Sequence, residues 1–170
     1  MKCLVLKAQK KHDQEAFVKL MEQNRQSMIK VARSYLNNEE DVADAVQASI
    51  LACYEKLDTL RQPQYFKTWL IRIVINKCKD ILRQNREIYL PDVMPEPGEV
   101  DTIQADLEFV ELLQEIDEKY RTILVLYYAE GFNTREIAEL LELNENTVKT
   151  RLTRAREQFA RQYQSGLRVV

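Results

Sequence analysis

Glycine and proline are scarce in this 170-residue chain, at three and four residues. Strand-like alternation of apolar and polar residues is also absent, so an all-α fold follows. The only histidine is His12, and the three cysteines, Cys3, Cys53 and Cys78, form no CxxC pair. Zinc-ligand spacing is therefore missing, and one histidine leaves little for acid–base work. No Ser-His-Asp set or phosphate-cradling glycine loop is present, which argues against an enzyme and a bound cofactor. The opening MKCLVLKAQKK holds an apolar run too short for a signal peptide, and no stretch is long enough to cross a bilayer. An odd number of scattered cysteines reads as reduced thiols in a cytoplasmic protein.

What the chain does have is charge, arranged in blocks. The net charge is −2, but residues 61 to 86 hold seven Lys or Arg against one acid, Asp80. Residues 87 to 118 hold eleven acids and no Lys or Arg, and Asn146 to Arg168 returns to six cations against Glu157. Two basic blocks separated by an acidic one point to nucleic acid, which the net charge alone would hide.

The most informative stretch is Asn133 to Phe159. Ile137, Ala138, Leu140 and Leu141 form one apolar side of a first helix. Val148, Leu152, Ala155 and Phe159 recur at spacings of four, three and four in a second. Asn133 with Glu136 makes a capping box, and Asn144 caps the second helix. About three residues separate the two, the connection of a helix-turn-helix. Opposite the apolar stripe lie Asn146, Lys149, Thr150, Thr153 and Arg154, with Arg151 and Arg156 on the flanks. These residue types reach base edges and phosphates when a helix enters the major groove; a solvated surface helix is the plain alternative.

Earlier in the chain, Asp13 to Leu36 follows a helical period, as one helix or two, and Asn37-Asn38 breaks it. Glu39 to Leu57 is the next helix, with Val42, Ala45, Val46, Ser49 and Cys53 inward. Capping and the helix dipole account for Glu39 to Asp41 but less well for Asp44 and Gln47 on the outer face. After a loop at Asp58 to Gln64, Tyr65 to Gln84 is predicted helical, with Phe66, Leu70, Ile73, Val74 and Ile81 inward. A second line on it runs Trp69, Arg72, Asn76, Lys79 and Arg83. Such cations and amides hold single-stranded nucleic acid, and aromatics stack bases; for Trp69 half-burial is the simpler reading. Residues 87 to 102, with Pro91, Pro95, Pro97 and Gly98, read as a flexible acidic linker between a domain at 1–86 and one at 103–170. Helices are expected at Asp106 to Ile116 and Tyr120 to Ala129, with Gly131 at the left-handed end of the latter. Gln162 to Val170 looks frayed. A duplex-binding regulator whose first ninety residues serve dimerisation or sensing stays open; the basic line on the Tyr65 to Gln84 helix speaks against it.

Nearly everything from Phe17 to Phe159 resembles bacterial RNA polymerase sigma factors of the extracytoplasmic-function (ECF) type, and three segments carry the resemblance. EDVADAVQ at Glu40 to Gln47 is similar to the region 2 helix that docks on polymerase. FKTWLIRIVINKCKDILR at Phe66 to Arg83 is similar to the helix that meets the −10 element. Tyr120 to Arg156 is similar to region 4, which reads the −35 element. The resemblance implies two helical domains, promoter DNA and core RNA polymerase as partners, the latter through its β′ clamp helices and β flap, and an anti-sigma factor, often membrane-anchored. It implies that Asp41, Asp44 and Gln47 face the polymerase. Leu60, Arg61 and Tyr65 would then lie near the −10 DNA with Arg72, Asn76, Lys79 and Arg83. The −35 groove would be met by Asn146, Lys149, Thr150, Arg151, Thr153, Arg154 and Arg156.

Overall fold

The computed structural model describes residues 1–11, 13–88 and 113–166. Among them every regular element is helical. The chain divides into two compact units, Met1–Glu99 and Val100–Val170.

The first unit begins with α1, Lys2–Lys11, a helix that the sequence did not suggest. Helix α2, Gln14–Tyr35, is one continuous helix. Its N-cap is Asp13, whose carboxylate accepts from the Ala16 amide at 3.0 Å. Helix α3, Glu39–Lys56, starts after Asn38, whose side-chain oxygen accepts from the Glu40 amide at 2.8 Å. Glu39, Glu40 and Asp41 then place negative charge on a positive helix end, which stabilises it. Two 3₁₀ turns, Leu57–Thr59 and Pro63–Tyr65, lead into α4, Phe66–Ile88.

Helix α4 lies against both α2 and α3. Its buried arc is therefore wider than one stripe: Phe66, Leu70, Ile71, Val74, Ile75 and Cys78 are all sealed from solvent. Ile73 and Ile81, expected inward, are only half-buried at the edge of that arc. Leu20, Met28 and Val31 of α2 and Val5 of α1 complete the core. Each such side chain contributes about 1.5–3 kcal/mol by leaving water. The helix continues through Arg86–Ile88, two residues into the expected linker. No proline precedes Pro91 there, so the backbone amides can continue the ladder. The rest of that expected linker, 89–102, lies outside the described residues.

The second unit opens on a turn at Leu113–Ile116, closed by the Ile116 amide donating to the Leu113 carbonyl at 3.0 Å. The remainder of the helix expected at 106–116 lies outside the described residues. Helix α5, Glu118–Leu124, widens into one π turn at Val125–Ala129. Gly131 follows at φ +74, the left-handed conformation for which glycine carries no Cβ penalty. Then come α6, Thr134–Leu141, and α7, Glu145–Gly166. The last helix is regular through the first five residues of the tail expected to fray. Leu113, Ile123, Val125, Leu126, Ile137, Val148 and Ala155 form its core. No described helix is long and apolar enough to cross a membrane.

Candidate nucleic-acid interface

The α6–α7 pair is built as its sequence specifies. The Asn133 side chain accepts from the amides of Arg135 and Glu136, and the Glu136 carboxylate accepts in return from the Asn133 amide at 2.9 Å. Glu142 ends α6 in the left-handed conformation at φ 56, and Leu143 and Asn144 complete a three-residue turn. Asn144 then accepts from the Asn146 amide at 2.8 Å. Val148, Leu152 and Ala155 are buried against the rest of the unit, which fixes the rotation of α7 about its axis.

That rotation turns Asn146, Lys149, Thr150, Thr153 and Arg154 outward, all exposed, with Arg151 half-buried at the edge. The Thr150 and Thr153 hydroxyls donate to helix carbonyls one turn back, at 2.9 and 3.1 Å, which holds their rotamers while leaving the oxygens able to accept. Lys149 makes an ion pair with Glu145 at 2.9 Å. The same Glu145 oxygen accepts from the Thr134 hydroxyl of α6 at 3.0 Å. The bond from Lys149, and after it the bond from Thr134, hold the Glu145 carboxyl below the usual carboxylate range. Arg156 is exposed but engaged. Its Nε donates to the Tyr128 hydroxyl at 2.7 Å, and its guanidinium sits 5.5 and 5.6 Å from the centroids of the Tyr127 and Tyr128 rings. It thus ties α7 to the π turn, a role the flank position in the sequence did not indicate.

In the first unit the second line of α4 stands apart from the core. Arg72, Asn76, Lys79 and Arg83 are exposed and Trp69 is half-buried, tilted on Phe66 with centroids 6.0 Å apart. Arg83 carries a local ion pair to Asp80 at 2.8 Å. Tyr65 is 58% exposed just before this helix, and Arg61 in the preceding loop is exposed as well. Leu60 is only 9% exposed and anchors the loop from inside. The sequence gave no hint of what else holds this loop. Gln9 of α1 donates from its side-chain amide to the carbonyls of Leu57 and Leu60, both at 2.8 Å.

On α3, Asp44 and Gln47 are exposed one turn apart, while Asp41 is half-buried and accepts from the Asn85 side chain of α4 at 3.0 Å. Asp41 is thus part of the packing between α3 and α4.

Two family models match the chain. Sigma-70 region 2 covers residues 20–88, and Sigma-70, region 4 covers residues 106–159. RNA polymerase sigma factor SigV of Bacillus subtilis (strain 168) is 35% identical over 136 residues, 78% of this chain and 81% of that protein. ECF RNA polymerase sigma factor SigW of the same strain is 27% identical, over 92% of this chain and 94% of its own. Among solved structures, CnrH in complex with the cytosolic domain of CnrY matches with a TM-score of 0.70 at 26% identity, covering 96% of this chain and 97% of that one.

Proposed function

The chain belongs to the sigma-70 family as an ECF-type sigma factor of bacterial RNA polymerase and directs promoter-specific initiation of transcription; we propose how its two units divide that task. The second unit reads the −35 duplex. Helix α7 enters the major groove with Asn146, Lys149, Thr150, Thr153 and Arg154 toward the bases and phosphates and Arg151 at the rim. The first unit holds the unpaired −10 strand along Arg61, Tyr65, Arg72, Asn76, Lys79 and Arg83. Flipping a base out costs a few kcal/mol, which cations on the backbone and an aromatic under the base offset. Asp44 and Gln47 dock on the β′ clamp helices. The observation that carries this division is the outward row on α7 set by buried Val148, Leu152 and Ala155. The chain supplies recognition and leaves bond chemistry to the polymerase.

The solved relative CnrH is bound to the cytosolic domain of CnrY. By that likeness this chain works in the cytoplasm and is held by an anti-sigma factor until released.

The reading is tested by adding the chain to core polymerase and sequencing the transcripts. A defined promoter set is expected. The Asp44→Ala, Gln47→Ala double variant keeps its helical circular dichroism and loses affinity for core. Core binding at wild-type strength in that variant places the docking face elsewhere.

A further inference from the structure

Glu145 is the one acid on the groove side of α7's first turn. Residues 145, 149 and 153 are spaced by four, so they follow one face of the helix. Its ion pair with Lys149 shows that the two side chains do share that face. A carboxylate there is unfavourable for plain affinity, because it meets the negative field of the DNA backbone. It is nevertheless held in place: Thr134 reaches across from α6 and Lys149 from the next turn, and both contacts end on Oε1. Oε2 takes neither of them.

The N-terminal residues of a recognition helix are the ones that meet base edges. A carboxylate in the major groove can only accept hydrogen bonds, and the base group suited to it is the N4 amine of cytosine. We propose that Glu145 is a specificity-determining residue, whose Oε2 accepts from the N4 amine of one cytosine in the −35 duplex, with Thr134 and Lys149 fixing its direction. The same charge penalises sequences that present only acceptors at that step, where carboxylate and base oxygen or nitrogen would meet without a proton between them. Lys149 meanwhile partly neutralises the carboxylate, so the repulsion from nearby phosphates is reduced while the acceptor remains.

This inference rests on α7 reading the −35 duplex. The test selects holoenzyme-bound promoters from a pool randomised across the −35 region, for wild type, Glu145→Gln, Glu145→Ala and Thr134→Val. Preference is a ratio between sequences within one preparation, so a partly unfolded variant does not imitate a change in it. Wild type is expected to prefer cytosine at one position on the order of tenfold. Glu145→Gln should move that preference toward adenine, whose N6 and N7 suit an amide. Glu145→Ala should flatten it, and Thr134→Val should weaken it with the carboxylate intact. Wild type without any −35 preference overturns the assignment of α7 itself. Wild-type preferences preserved at every position in all three variants overturn only the role of Glu145. A uniform gain in affinity for Glu145→Ala across sequences also overturns it, since the acid would then be a brake on Lys149 alone.

Discussion

Arg154 and Arg156 stand two positions apart on α7 and meet different surroundings. Arg154 points to solvent from the groove face. Arg154→Ala should cost on the order of 1–3 kcal/mol in −35 recognition and leave the urea midpoint unchanged, because no buried group is touched. Arg156 holds Tyr128 and lies over two rings. A bond from a charged donor and a cation–π contact at an exposed site together amount to about 2 kcal/mol, the low end of their sum. Arg156→Ala should therefore lower stability, and Tyr128→Phe should account for part of the same loss; a double-mutant cycle with no coupling would contradict the pairing. Cys53 makes the pH argument. It is fully buried in the first unit, and burial pushes its thiol from the ordinary value of 9.0 up to about 12. The folded-state value is raised, so the contribution to stability is complete below about pH 9. Above that the unfolded chain ionises first, and stability falls by about 1.4 kcal/mol per pH unit until the folded thiol also titrates near 12. Unfolding measured from pH 8 to 11 should show this slope, and Cys53→Ala should reduce it. Cys3, exposed, should be the first thiol alkylated in the native protein.

Among the elements, α6 depends most on its ends. It has eight residues, too few to be stable from its own ladder. Its capping box is worth about 1 kcal/mol, so Asn133→Ala should lower the stability of the second unit by about that amount. Leu152→Ala removes a buried side chain from α7 and should cost about 2–4 kcal/mol, abolishing DNA binding by losing the helix's seat rather than any contact. Helix α1 acts on the loop before α4. Gln9→Ala removes the side-chain donor to the Leu57 and Leu60 carbonyls, and Leu57 keeps the Leu60 amide at 3.1 Å. At about 1 kcal/mol per bond the loss is about 2 kcal/mol, and amide exchange should quicken at residues 57–65 before it does elsewhere in the first unit. Exchange unchanged over that loop would mean that Gln9 is not what holds it.

Across the whole molecule a net charge of −2 conceals two basic faces, each proposed to serve a different DNA form. Each cation that neutralises a phosphate adds about −0.9 to the log–log salt slope on duplex and about −0.7 on single strand. Replacing Arg72 and Lys79 by Ala should flatten the salt dependence of holoenzyme binding to a premelted −10 template and barely change binding to an intact −35 duplex. Lys149→Ala should do the reverse. Equal weakening of both substrates by both variants would reduce the basic faces to a diffuse attraction. Core polymerase must be present in the assay, because the acidic stretch at 87–102 is expected to oppose DNA binding by the chain alone.

The helices from α2 onward, the capping box at Asn133, the turn between α6 and α7 and the exposed row on α7 were legible in the sequence. All are local: a helix face is a spacing of three and four, and a cap is a residue type beside that pattern. Contacts between residues far apart in the chain leave no such trace. Gln9 reaches carbonyls 48 and 51 residues away, and Arg156 meets a hydroxyl 28 residues back. Whether α4 buried one stripe or a broad arc depended on how many helices pack against it, which its own periodicity does not encode. Leu60 turned inward for the same reason, since an apolar side chain in a short loop follows whatever core lies beneath it. The sequence determined which surfaces are polar and helical; the packing of α1 against the loop and of the π turn against α7 decided which of those polar groups hold the fold and which stay exposed to solvent.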